Sequence, residues 1–105
     1  MNMRNEQLDA ARTGFYQFYL SQHRNRTSRR LHFIGSTLVV VLVLGAAVYS
    51  AWWLLWVALI QAYVFAWVGH FFFELNRPAT FHHPLKSFVS DWRMWWEMLT
   101  GKIPF

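Results

Sequence analysis

The chain has 105 residues, of which 55% are hydrophobic and 20% aromatic but only 14% charged, against about 25% charged for an ordinary soluble domain. That length fits one domain at most, and the composition lacks the polar surface that a small soluble domain needs. The net charge of +5 raises nucleic-acid binding, but the basic residues flank an apolar block instead of forming a stripe, and the lack of cysteine excludes disulfides, zinc ribbons and thiol catalysis.

In chain order, the first predicted element is an amphipathic helix over residues 8–23. Leu8, Ala11, Phe15, Phe18 and Tyr19 recur at helical spacing, while Arg12, Thr13 and Gln17 fall elsewhere on the wheel. Met1 to Gln22 has acidic and polar residues where a signal peptide would have its apolar core, so no cleaved leader is expected. A polar connection, Arg24 to Arg30, follows. From Leu31 to Phe73 there is then no Asp, Glu, Lys or Arg. A hydrocarbon core about 30 Å thick takes roughly 20 helical residues, so this block predicts two spans, Leu31–Tyr49 and Trp53–Phe73, with a turn near Ser50. Trp52, Trp53 and Trp56 would form an aromatic belt at the far interface, and the arginines and lysines on either side of the block would mark the cytoplasmic face. A long hairpin buried in a soluble bundle is the alternative, but little amphipathic chain is left to cover it.

A second polar connection, Asn76 to Pro84, is bounded by Pro78 and Pro84. The last predicted helix, residues 85–100, sets Leu85, Phe88, Val89, Trp92, Trp95, Trp96 and Leu99 opposite Lys86, Ser90, Arg93 and Glu97, with Gly101 as its stop. Core packing is the favoured reading of both apolar stripes. The predicted architecture is an all-α membrane protein: one domain, residues 1–105, with a two-span hairpin flanked by two amphipathic helices. It would be integral and multi-pass with both termini cytoplasmic, in the inner membrane if the chain is bacterial. The sequon Asn25-Arg26-Thr27 would then go unused.

His32 and His70 each lie nineteen residues from Ala51, so a hairpin turn returns them to one depth. His23 precedes His32 by nine residues, which on a continuous helix would put it on the opposite side. A break in the connection would let it fold back, and three histidines would converge. Ionisable groups beside a span point to function, and imidazoles without cysteine suit iron, zinc or copper better than magnesium or calcium. Glu74, four residues after His70 on the same helical face, could complete the shell or orient a ligand. A single interfacial histidine is more often a satisfied hydrogen-bonding group, so the residues alone leave both readings open. His82 and His83 are expected in an exposed loop, although His83 could swing toward the cluster. No nucleophile motif, phosphate-binding glycine loop or dinucleotide fingerprint is present.

Two motifs carry a resemblance. One is His23-Arg24-Asn25, six residues, then His32; the other is Gly69-His70-Phe71-Phe72-Phe73-Glu74, continuing through Leu75-Asn76-Arg77 to Pro78-Ala79. In these, and over most of its length, the chain resembles the membrane-bound 2-hydroxy fatty acid dioxygenases, typified by a fungal enzyme of fatty acid α-oxidation and including small bacterial relatives. The resemblance implies an Fe(2+) enzyme that oxidises a 2-hydroxy long-chain fatty acid with molecular oxygen and shortens it by one carbon. His23, His32 and His70 become the metal-ligand candidates, with Glu74 at the family's acidic position as a catalytic candidate. Arg77 and Asn25, or another of the Arg24–Arg30 group, become candidates for holding the substrate carboxylate. A 2-hydroxy acid can chelate iron through its carboxylate and hydroxyl while its tail lies in hydrocarbon. The expected partners are the fatty acid, oxygen and the membrane, with no nucleic acid, and a homo-oligomer is compatible. The His82-His83 pair has no counterpart in that pattern, and the chain is shorter than the fungal enzyme. The competing reading is a non-catalytic membrane protein whose histidines and arginines bind lipid headgroups or a partner. A metal or proton transporter ranks lower, since two spans form no pathway alone and no acidic residue lies mid-membrane.

Overall fold

A computed structural model describes residues 14–78 and 81–105, and among these the regular structure is entirely helical. Leu8, Ala11, Arg12 and Thr13 of the first predicted helix, and Ala79 of the second motif, lie outside the described residues. Helix α1 covers residues 14–21. Helix α2 is Arg26–Tyr49, and α3 is Leu54–Val68, running on into a π-helical segment at Gly69–Glu74. Helix α4 is Pro84–Leu99.

Asn25 starts α2. Its side-chain oxygen accepts from the Ser28 N–H at 3.1 Å, a cap worth about 1 kcal/mol. Most of the expected Arg24–Arg30 connection is therefore the first turn of α2, and the break sits at residues 22–25. At the other end Ser50 takes a left-handed conformation, φ 51°, which stops α2 and reverses the chain into α3 within four residues. Leu54–Glu74 runs continuously through the π segment, and both it and α2 are long and apolar enough to cross a membrane. Their outer faces are apolar: Val41, Leu44, Val48, Ile60 and Val64 are all exposed.

Small residues let the two long helices approach. A β-carbon on Gly35 would lie 3.1 Å from Phe65 Cβ, so the helices are already in close contact there. Gln61, the polar residue midway along α3, donates to the carbonyls of Gly35 and Ala58, both at 3.0 Å, and ties α3 to α2.

Helix α4 lies against α1 and the first half of α2. Tyr16, Tyr19, Met94 and Met98 form a small core, and Trp95 donates its indole N–H to Thr37 Oγ1 at 3.0 Å. Beyond α4, the Phe105 carbonyl accepts from Arg26 and Arg30. Core packing is not what the α4 stripe does. Leu85 is 77% exposed and Phe88, Val89, Trp96 and Leu99 are all exposed, whereas Ser90, expected on the polar side, is buried with Ser87, Met94 and Met98. The reason lies in α1, whose buried side presents Tyr16 and Tyr19 while Phe18 points out. Phenol hydroxyls taken out of water need partners, and α4 turns its carboxylates to them, Glu97 to Tyr16 and Asp91 to Tyr19. Its apolar stripe is left facing outward.

Candidate metal centre

Three separate pieces of chain deliver the histidines. At the end of α1, the Gln22 and His23 N–H groups turn back to carbonyls of the last turn, His23 bonding Leu20 at 3.0 Å. The chain then reverses into α2. Arg29 holds this connection, donating to the carbonyls of His23 and Arg24 at 3.1 and 2.9 Å. The break that the sequence required is thus present, and His23 Nε2 lies 3.2 Å from His32 Nε2. His70 arrives at the end of α3, directly after Gly69, which packs against Ser28 of α2. The ring centroids are 4.5 Å apart for His23–His32, 4.5 Å for His23–His70 and 5.1 Å for His32–His70. One nitrogen from each lies within 4.8 Å of the others, and all three residues are buried.

Hydrogen bonds on the outer nitrogens fix what the inner ones offer. His23 Nδ1 lies 2.7 Å from the Tyr19 carbonyl. A carbonyl only accepts, so His23 carries its proton on Nδ1 and presents a bare Nε2 lone pair. Asn76 donates its amide to the Gln22 carbonyl at 3.0 Å, which turns its oxygen toward His70 Nδ1 at 2.7 Å. His70 is set in the same tautomer. His32 Nδ1 faces Asp91 Oδ1 at 4.0 Å, and that carboxylate accepts from the Tyr19 hydroxyl while the Tyr19 ring stacks on His23 at 4.1 Å. At least two bare lone pairs therefore converge in a buried space where His32 can supply at most one proton. A cation could be held by that arrangement, and outer groups that orient histidines in this way are typical of metal sites. Three imidazole nitrogens without thiolate fit iron, zinc or copper.

Electrostatics favour the ligand state. Burial, assisted by the neighbouring His70, pushes the His23 pKa down to about 3 and keeps it neutral. Burial raises Asp91 to about 6, with the Tyr19 hydroxyl pulling the other way. Burial also raises Tyr19, as does Asp91, so the phenol remains a donor.

The other predicted residues do different work. Glu74 is not among the converging groups; its Oε1 accepts the Asn25 backbone N–H at 2.6 Å. Glu74 ends the π segment that begins at Gly69, and its carboxylate is engaged with the start of α2. Asn25 spends its side-chain oxygen on the α2 cap. Arg77 is exposed in the loop after the π segment. His82 and His83 are exposed, as expected, and the His83 ring packs on Phe15 at 5.2 Å, not on the histidine cluster. Sequence reasoning missed the bracing roles of Tyr19, Asn76 and Asp91. The helical i, i+4 spacing of Tyr19 and His23 was a usable signal. Asp91 had none, because its face of α4 looked polar.

A cavity of about 280 Å³ adjoins the histidines; Ser87 and Asp91 of α4 line it, as do Val43 and Leu55, which lie farther along the hairpin from His32 and His70. Among known families, the model described as 2-hydroxy-palmitic acid dioxygenase Mpo1-like matches residues 10–103. Neither a curated protein nor a solved structure matches the chain.

Proposed function

The chain belongs to the Mpo1-like family, and on that premise we propose that it is an integral membrane enzyme that oxidises 2-hydroxy long-chain fatty acids with molecular oxygen. It uses Fe(2+) held by His23, His32 and His70 and shortens its substrate by one carbon. The observation that carries this reading is the convergence of three buried imidazoles whose outer nitrogens are turned away toward Tyr19, Asn76 and Asp91. Ferrous iron with three protein ligands supplies open positions for a chelating substrate and for oxygen chemistry.

The chain's own residues then divide the work. Tyr19 and Asn76 keep His23 and His70 in the ligating tautomer, and Asp91 faces the outer nitrogen of His32. The burial of all three imidazoles excludes bulk water from the reacting end. Glu74 and Asn25 hold the α1–α2 connection against the end of α3, which keeps His23 beside its partners. Arg77, exposed beside the site, attracts the substrate carboxylate during approach. In this reading α2 and the Leu54–Glu74 helix span the bilayer, both termini lie on the cytoplasmic side, and the outward apolar stripe of α4 rests in the interface.

The test is anaerobic purification in detergent with ferrous iron, followed by metal analysis and oxygen uptake on adding 2-hydroxypalmitic acid. Stoichiometric iron with uptake that disappears in His70→Ala is expected. A chain that binds no iron and consumes no oxygen would overturn the proposal.

A further inference from the structure

The cavity beside the histidines is elongated and changes character along its length. Asp91, 4.0 Å from His32, lines it, as does Ser87 one helical turn before Asp91 on α4. The cavity continues between α2 and α3 as far as Val43 and Leu55. Val43 is eleven residues along α2 from His32, a reach of about 16 Å at ~1.5 Å per residue. On α3 the wall includes Leu59, Tyr63 and Trp67 and, between them, Ala58, Ala62 and Ala66, which recur every fourth residue and so share one face. Side chains this small leave a channel between helices that larger ones would close.

The polar end carries an unanswered group. Ser87 is 1% exposed and lines the cavity, and among the described residues its hydroxyl has no hydrogen-bond partner. A buried hydroxyl left unpaired costs about 1–3 kcal/mol, so Ser87 has a donor to offer a ligand in the cavity. Pro84, the first residue of α4, lines the same cavity, and His83 before it provides no side-chain cap. The start of a sixteen-residue helix thus borders the cavity, with no side-chain cap from His83 on its positive end. A hydroxyl donor and a helix N-terminus at one end, where Asp91 is engaged by the Tyr19 hydroxyl, and about 16 Å of mostly apolar wall behind suit a carboxylate on an unbranched tail.

We propose that this cavity is an acyl-chain slot in which Ser87 donates to the carboxylate and the tail runs past Ala66, Ala62 and Ala58 toward Val43 and Leu55. The proposal deepens the function given above and rests on it for the 2-hydroxy substrate. With C–C bonds of about 1.5 Å in a zigzag, the slot takes roughly a dozen methylenes. Ala62 lies eight residues before His70, about 12 Å along α3, so an eight-carbon tail ends before reaching it.

Binding can be read without metal or turnover. Metal-free chain in detergent is titrated with octanoic and hexadecanoic acids, which carry no 2-hydroxy group, against a fluorescent fatty acid. Ala62→Leu should weaken hexadecanoic acid about tenfold or more while leaving octanoic acid within about twofold, the scale of a methylene clash in an apolar pocket. Val43→Ala, which only removes atoms at the far end, should shift the preference toward longer tails, a gain that misfolding cannot mimic. A length profile unchanged by Val43→Ala, together with no loss or an equal loss at both lengths in Ala62→Leu, overturns the slot. Ser87→Ala should weaken hexadecanoic acid but not its methyl ester; equal effects on both overturn the anchor. Failure of these arms is distinct from failure of oxygen uptake, because the probes bind without being substrates.

Discussion

Gly69 meets Ser28 so closely that a β-carbon on Gly69 would fall 2.8 Å from Ser28 Oγ and 3.4 Å from Ser28 Cα. This contact sets the separation of α2 and α3 one turn from His32 and immediately beside His70. Gly69→Ala should therefore force the helices apart where the imidazoles meet, at an overpacking cost of about 1–3 kcal/mol. Bound iron and melting temperature should both fall. Adding Ser28→Ala removes the clashing hydroxyl and should recover most of both; additive losses in the double variant would show that the contact is not the cause.

Metal binding should stabilise the chain by mass action. Ferrous iron at about 100 times its dissociation constant should raise stability by about 2.7 kcal/mol, seen as a rise in melting temperature that a chelator reverses. His23→Ala, His32→Ala and His70→Ala should each abolish the rise. A variant that retains the full shift would remove its histidine from the ligand set.

Asp91 carries opposite consequences for stability and for metal affinity. Its pKa is raised from 3.8 to about 6, chiefly by burial, so the folded chain holds the proton more tightly than the unfolded chain does. The stability from this group is present below pH 3.8 and is lost as pH rises through 6. Asp91→Asn has no such loss. In metal-free melts its advantage over the native chain should grow from about pH 4 to about pH 7. The same variant weakens the brace on His32 and should lower metal affinity about 10–100-fold. Parallel melting curves at both pH values would contradict the first expectation, and unchanged iron binding the second.

Gln61 ties the hairpin mid-span through the Gly35 carbonyl. Gln61→Leu removes that tie and should cost about 0.6–2 kcal/mol, the range for hydrogen bonds between membrane helices. Unfolding in mixed micelles measures it, with iron stoichiometry unchanged because the histidines sit at the far end of the contact.

Much of this architecture was legible in the sequence. The uncharged stretch is too long for a soluble core helix and too short for three spans, which left a hairpin. The equal distances of His32 and His70 from Ala51 then placed them together, and the polar residues around Arg24 offered the break that brings in His23. Two things were hidden. Nothing local in Gly69–Glu74 announces a π segment, or that Glu74 accepts the Asn25 backbone N–H. The buried face of α4 is chosen by the tyrosine hydroxyls of α1, and a pattern read on one helix alone cannot include the needs of its neighbour. Asp91 was lost with that face.

His23 lies outside the hairpin, before the cap of α2. An ion shared by all three histidines would therefore do more than react. It would close two rings of chain, one of nine residues from His23 to His32 and one of roughly forty from His32 to His70, removing from the unfolded ensemble the freedom that long open loops retain. The same cross-link cannot form until α3 has been made and has returned to the level of α2. Metal capture would then act as a late checkpoint of assembly, sealing chains whose second long helix has folded back and leaving the others unlatched.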